Sequence, residues 1–215
     1  MRAIVSIFLS LIFFISPAYA LNDAEAEDLK KYVEDLIDEG YKLVHDKNLT
    51  ESQRYRKSSR LIRSHLYLDW MAEYTLGRNR RMISDKKIAE FAKIYSQFVV
   101  KVYADLSSNY NGEKAVLKNV KKIDDDMFIV NMEIVRPSGQ QPVKIDYLIH
   151  KLENSTKNPY RIGDIITEGI SILNSQQSEF NSVISSRGID ALITELKQKL
   201  EKPEEIKQTK VRHKY

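Results

Sequence analysis

Apolar residues recur at three- and four-residue steps over the first half of the chain. They recur at every second residue over the next fifty, which predicts helices followed by strands. Leu29, Val33, Leu36, Ile37 and Tyr41 mark one face of a helix, or of two short ones, over residues 22–46. Asn22 or Asp23 can cap it. A second helix begins after Thr50, where the capping signal is weak. Leu61, Ile62, Leu66, Tyr67, Trp70, Met71 and Tyr74 then form a single stripe over 61–76. Gly77 closes that stripe as a residue able to take positive φ. Ser84-Asp85-Lys86-Lys87 opens the longest helix, expected to reach about Tyr110. Its apolar face carries Ile88, Phe91, Ile94 or Tyr95, Phe98, Val102, Tyr103 and Leu106. A face this broad can serve a core and a ligand cavity together.

The period then shortens to two. Residues 115–122, 127–136, 143–152 and 160–167 read as strands, separated by Asp124-Asp125-Asp126, Pro137-Ser138-Gly139 and the polar stretch 154–159. Phe128, Val130, Met132 and Ile134 share one side of the second strand. Val143, Ile145, Tyr147 and Ile149 share one side of the third, leaving Lys144, Asp146 and His150 on the other. Short turns between consecutive strands imply an antiparallel meander, and a sheet with one apolar face needs a cover. The expected class is therefore α+β, with helices packed on one face of a twisted antiparallel sheet of about four strands. A last helix over 174–200 buries Phe180, Val183, Ile184, Ile189, Leu192, Ile193, Leu196 and Leu200, and Gly188 is a candidate break within it.

The ends of the chain read differently. Arg2, an apolar run over residues 3–15, the breakers Ser16 and Pro17, and Ala18-Tyr19-Ala20 make a secretory signal with cleavage expected after Ala20. The run is short for a membrane span, which needs about 20 apolar residues. Residues 21–202 are expected to form one domain, and 203–215 a basic, disordered tail. The 215 residues contain no cysteine, so disulfides, thiol catalysis and cysteine-bound zinc are excluded. A net charge of +4, spread over interspersed acids and bases, gives no nucleic-acid footprint.

The search for chemistry is mostly negative. No phosphate loop, nucleophile elbow or His-Glu-x-x-His appears, and the four histidines have no metal-ligand spacing. Neither a cofactor nor a metal is expected. Asp146 and Asp164, on neighbouring strands, and His150 are the starting points for an enzymatic reading. That reading is a secreted NTF2-like enzyme acting on a small apolar substrate; a purely structural interaction module is a further alternative.

The order of a set of short segments carries more than any one residue. Asp69 precedes Leu76-Gly77, and Phe91, Phe98 and Tyr103 follow on the long helix. Next come Ile145-Asp146-Tyr147, Tyr160-Arg161-Ile162-Gly163-Asp164-Ile165 and Glu168-Gly169-Ile170-Ser171-Ile172, with Phe180, Gly188 and Leu192-Ile193 beyond. Behind a signal peptide, this order resembles the MlaC family, also called the toluene-tolerance family, over residues from about 25 to about 200. Arg80, Tyr160 and Gln176-Gln177 depart from the family's usual residues.

The resemblance implies an NTF2-like fold enclosing an apolar lipid pocket, and a periplasmic, non-enzymatic carrier. Its ligand would be a glycerophospholipid. Its partners would be an inner-membrane ABC transporter complex and an outer-membrane lipoprotein complex that maintain outer-membrane lipid asymmetry. Candidates for acyl-chain contact are Phe91, Phe98, Val102 and Tyr103 from the long helix, with Phe128, Val130, Met132, Tyr147 and Ile149 from the sheet. Plain core packing explains each of these positions equally well.

Overall fold

The structure is a computed structural model. It describes residues 22–107, 110–137, 139–153 and 158–201, so the expected leader (1–20) and tail (203–215) lie outside the described residues.

The N-terminal pattern folds as one helix, α1 (Asp23–His45), capped by the Asn22 side chain, which accepts from the Glu25 N–H. The next helix, α2 (Glu51–His65), is better capped than expected. Thr50 accepts from the Gln53 N–H, and the Gln53 side chain accepts from the Thr50 N–H, a reciprocal capping box.

The stripe over 61–76 is not one helix. It breaks at Leu66 and resumes as α3 (Leu68–Leu76). The break has a tertiary cause: Leu66 forms a parallel bridge with Ile162, and the Tyr67 N–H donates to the Ile162 carbonyl at 2.9 Å. Two backbone residues thus cover part of a strand's open edge, which outweighs helical continuity there. A 3-10 segment (Gly77–Met82) leads into α4 (Asp85–Ser107).

Strands β1 (Lys114–Asp124), β2 (Met127–Val135), β3 (Val143–Lys151) and β4 (Tyr160–Thr167) follow the predicted alternation. A fifth, β5 (Ile170–Ser171), was not expected. Glu168 and Gly169 both take positive φ, 50° and 79°, and fold β5 back on β4 as a two-residue hairpin. The sheet order is β1-β2-β3-β4-β5, all antiparallel, with β1 at one edge. The last helical stretch divides at Gly188 into α5 (Ile172–Arg187) and α6 (Ile189–Glu201).

Phe128, Ile149 and Ile162 lie in register across three strands. They join Leu29 and Val33 of α1, Phe91 and Tyr95 of α4, Phe180 of α5 and Leu196 of α6 in one contiguous core. Glu25 of α1 ties that helix to the sheet through Lys151 at 2.8 Å and Lys122 at 3.2 Å. Between Ile162 and Asp164 the register against β3 slips by one, so Gly163 is a bulge.

His150 departs from the expected polar face. It is buried, with the Trp70 ring 4.5 Å and the Tyr67 ring 5.6 Å from it. The chain passes the β4 edge at Leu66, and α3 then lays its aromatic residues over that corner of the sheet.

Candidate functional site

Packing is incomplete beside the core. Between α1, α2, the C-terminal end of α4 and the sheet lies an apolar cavity of about 270 Å³. From α1 come Leu36, Ile37, Gly40, Tyr41 and Val44, which share a face because a helix repeats every 3.6 residues. From α2 come Ser58, Leu61 and Ile62. Tyr103 and Ser107 of α4, Ala115 of β1 and Tyr147 of β3 complete most of the wall.

Gly40 stands in the interior of α1, where glycine is unfavourable by about 1 kcal/mol relative to alanine. A Cβ built on it meets no atom within 4 Å. The missing side chain is therefore missing volume, and it keeps the cavity open.

The polar atoms of the wall are mostly paired with one another. Ser58 Oγ lies 2.8 Å from Ser107 Oγ, which donates to the Ala104 carbonyl at 2.6 Å. The Tyr41 hydroxyl accepts from the Ala115 N–H and donates to the Glu113 carbonyl. The Tyr103 and Tyr147 hydroxyls have no hydrogen-bond partner among the described residues. Burial pushes both pKa values up, so both stay neutral. The cavity wall thus holds no charge and no activated nucleophile. It can dissolve hydrocarbon and offer two hydroxyl donors.

Of the nine residues singled out from sequence, Tyr103 and Tyr147 line this cavity. Phe91, Phe128, Val130, Met132 and Ile149 are buried in the close-packed core. Phe98 packs half-buried against that core beneath the Lys199 ammonium, and Val102 is half-buried on α4. The contribution of α1 and α2 was missed. The available signal was Gly40, an isolated glycine in an otherwise periodic helix.

The register places Asp146, Asp164 and His150 around Leu148 on one face of the sheet. Asp146 and Asp164 have hydrogen-bond partners there, and His150 is held by packing. Asp146 accepts from the Asn131 amide at 2.7 Å. Asp164 accepts from the Ser171 hydroxyl and from the Leu173 and Ile165 N–H groups, fixing the start of α5. His150 is packed beneath α3, its Nε2 without a hydrogen-bond partner among the described residues, and burial lowers its pKa. None of the three lines the cavity. Among the described residues, no group of three His, Asp or Glu could hold a metal ion.

Outside the cavity, and sharing Leu43 and Leu61 with it, is a polar groove of about 360 Å³ between α1 and α2. Arg54 holds the ends of the two helices together. Its guanidinium donates to the carbonyls of Leu43, Val44 and Asp46 at 2.5, 3.0 and 2.9 Å.

A family model described as MlaC protein matches residues 34–198. The chain is similar to the intermembrane phospholipid transport system binding protein MlaC of Haemophilus influenzae, with 23% identity over 137 residues. That alignment covers 63% of this chain and 63% of the relative. The fold is similar to that of a phospholipid-binding protein from Ralstonia solanacearum solved in complex with a phospholipid. The TM-score is 0.63 at 18% identity, over 81% of this chain and 96% of the other.

Proposed function

The chain belongs to the MlaC family, and from that membership we propose that it is a phospholipid carrier, sheathing acyl chains while they cross water between two membranes. The observation that carries this reading is the apolar, uncharged cavity between α1, α2, α4 and the sheet. Two acyl tails hold on the order of 30 methylenes, and exposing them to water costs roughly 25 kcal/mol at about 0.8 kcal/mol each. A carrier must replace most of that shelter without exceeding it, or the lipid would not leave again. Non-directional apolar contact meets both demands, and it requires no catalytic group.

At about 270 Å³ the cavity is just below the usual ligand-pocket range of about 300–1,000 Å³. Loading a phospholipid therefore widens it, by moving α1 and α2 away from α4 and the sheet. In the loaded state Tyr103 and Tyr147 touch the chains directly. Phe98, Val102 and the core residues Phe91, Phe128, Val130, Met132 and Ile149 form the wall that the widened cavity reaches.

The reading extends to location and partners. The signal over residues 1–20 delivers the protein to the periplasm. There it exchanges lipid with an inner-membrane ABC transporter complex and an outer-membrane lipoprotein complex. The test is direct. Protein purified from cells without detergent is extracted with organic solvent, and the extract is analysed by mass spectrometry. Phospholipid in near-stoichiometric amount is expected, and protein that carries none would overturn the reading.

A further inference from the structure

We propose that the outer face of α2 is a contact surface for an anionic lipid bilayer. This goes beyond the carrier reading, because it concerns the solvent side of the helix and not the cavity.

Arg56, Lys57, Arg60 and Arg63 are all exposed on α2, whose only carboxylate is Glu51 in the first turn. Arg56, Arg60 and Arg63 follow at four- and three-residue steps, so they form one row about 10 Å long at about 1.5 Å per residue. None of the four has an ion-pair partner among the described residues, and the Arg56 guanidinium donates to the Ser52 hydroxyl. In α6, by contrast, Lys197 and Lys199 are paired with Glu90 and Glu179. Like charges at these steps repel and destabilise a helix. A polyanion outside the chain relieves that repulsion.

The row borders a groove of about 720 Å³ between α2, α4 and the end of α6, and no residue lining it is acidic. Lys101, also in its wall, is held by Asp105. On the other side of α2, Glu39, Lys42 and Asp46 of α1 make a surface of mixed charge, so the cationic face is the one turned toward α4 and α6. A stable protein interface closes over an apolar core. Here Val100 is buried and Leu200 half-buried, and Tyr55 is the one exposed large apolar side chain of the groove. A row of guanidinium groups beside an exposed tyrosine suits instead the phosphates of a membrane surface. The inner face of the same helix carries Ser58, Leu61 and Ile62 of the cavity wall. Contact through the outer face therefore sets the cavity about 10 Å, one helix diameter, from the phosphate layer.

The experiment floats soluble protein, purified without detergent, with vesicles of phosphatidylcholine alone or of equal parts phosphatidylcholine and phosphatidylglycerol. The wild type should float with the anionic vesicles alone. It should leave them at about 1 M salt, where the Debye length falls to about 3 Å. Each cation near an anionic surface strengthens attachment about fivefold, so Arg56→Gln with Arg63→Gln should weaken it about 25-fold. Arg78→Gln with Arg81→Gln removes the same charge from the 3-10 segment before α4, where both arginines are exposed, and should change flotation little. Both double variants should keep their circular dichroism spectrum and their copurified phospholipid. A wild type that does not float with anionic vesicles, or equal losses in the two variants, would overturn the contact surface. So would a wild type that ignores vesicles yet is held by immobilised polyglutamate through Arg56 and Arg63, which would assign the face to an acidic protein. These outcomes leave the carrier reading standing; that reading falls only with the copurified phospholipid.

Discussion

Gly40 offers the sharpest separation of stability from function. It lies within α1, seventeen residues from Asp23 and five from His45, at a half-buried point on the cavity wall. Replacing it by alanine gains helix propensity of about 1 kcal/mol. Nothing lies within 4 Å of the new methyl, so no strain offsets the gain. For a domain of this size, 1 kcal/mol raises Tm by roughly 2–4 °C. Leucine adds three more carbons. If they enter the cavity, burial contributes about 2 kcal/mol further, at about 0.8 kcal/mol per methylene. That side chain takes room from a space of only about 270 Å³. The expected result is a pair of opposed trends, with stability rising from Gly to Ala to Leu while copurified phospholipid falls. Stability is measured by urea denaturation after delipidation, because bound lipid stabilises by mass action. Lipid is measured by extraction and phosphate assay. A destabilised Gly40→Ala, or a Gly40→Leu with full lipid load, would refute the assignment of this cavity.

Three further predictions concern the scaffold. Gly163→Ala places a Cβ 2.7 Å from the His150 ring and 3.1 Å from Trp70, so it should cost about 1–3 kcal/mol in urea melts. Trp70 is the chain's sole tryptophan and reports on that corner by fluorescence; the cost should shrink in a His150→Ala background, and a benign Gly163→Ala would contradict the packing. Burial lowers the pKa of His150 below the 6.5 expected of the unfolded chain, so the unfolded state binds protons first as pH falls. Stability should therefore be full above pH 6.5 and decline below it, and His150→Asn should flatten the slope, with His65 supplying the remainder. The hydrogen bond from Lys151, with help from Lys122, lowers the pKa of Glu25 below 4.5, so its contribution is present above that pH and lost beneath it. Glu25→Gln should cost about 1–2 kcal/mol at pH 7, since Lys151 is partly exposed, and should cost less at pH 4.

Much of the fold could be read from periodicity because local pattern and tertiary burial agree. Phe128, Val130 and Met132 alternate in sequence and are buried in the structure, with Ile129 and Asn131 less so. The misreadings came from tertiary contacts that leave no local trace. The stripe from Leu61 to Tyr74 stays in helical phase across the break at Leu66, and the cause of that break, Ile162, is nearly a hundred residues away. His150 has the polar position of its strand, and only the return of α3 makes that position interior. Thr50 and Gln53 had the spacing of a capping box, a signal present and underweighted. For the site, aromatic positions on α4 and the sheet drew attention because they are large. The cavity owes more to what is small or absent, at Gly40, Ser58, Ser107 and Ala115, which no hydrophobic pattern marks.

The outer strand β1 has backbone groups along one side that no other strand covers among the described residues, apart from the Tyr41 hydroxyl at Ala115. Such a border is a template for a second molecule, and eleven residues is long enough to recruit one. Lys118 and Lys122 are paired with Glu133 and Glu25, but Lys114 and Lys121 have no ion-pair partner among the described residues, so two copies meeting side by side would bring these like charges close. Repulsion along that border then opposes side-by-side pairing. Neutralising those lysines should turn a well-behaved solution protein into one that clumps.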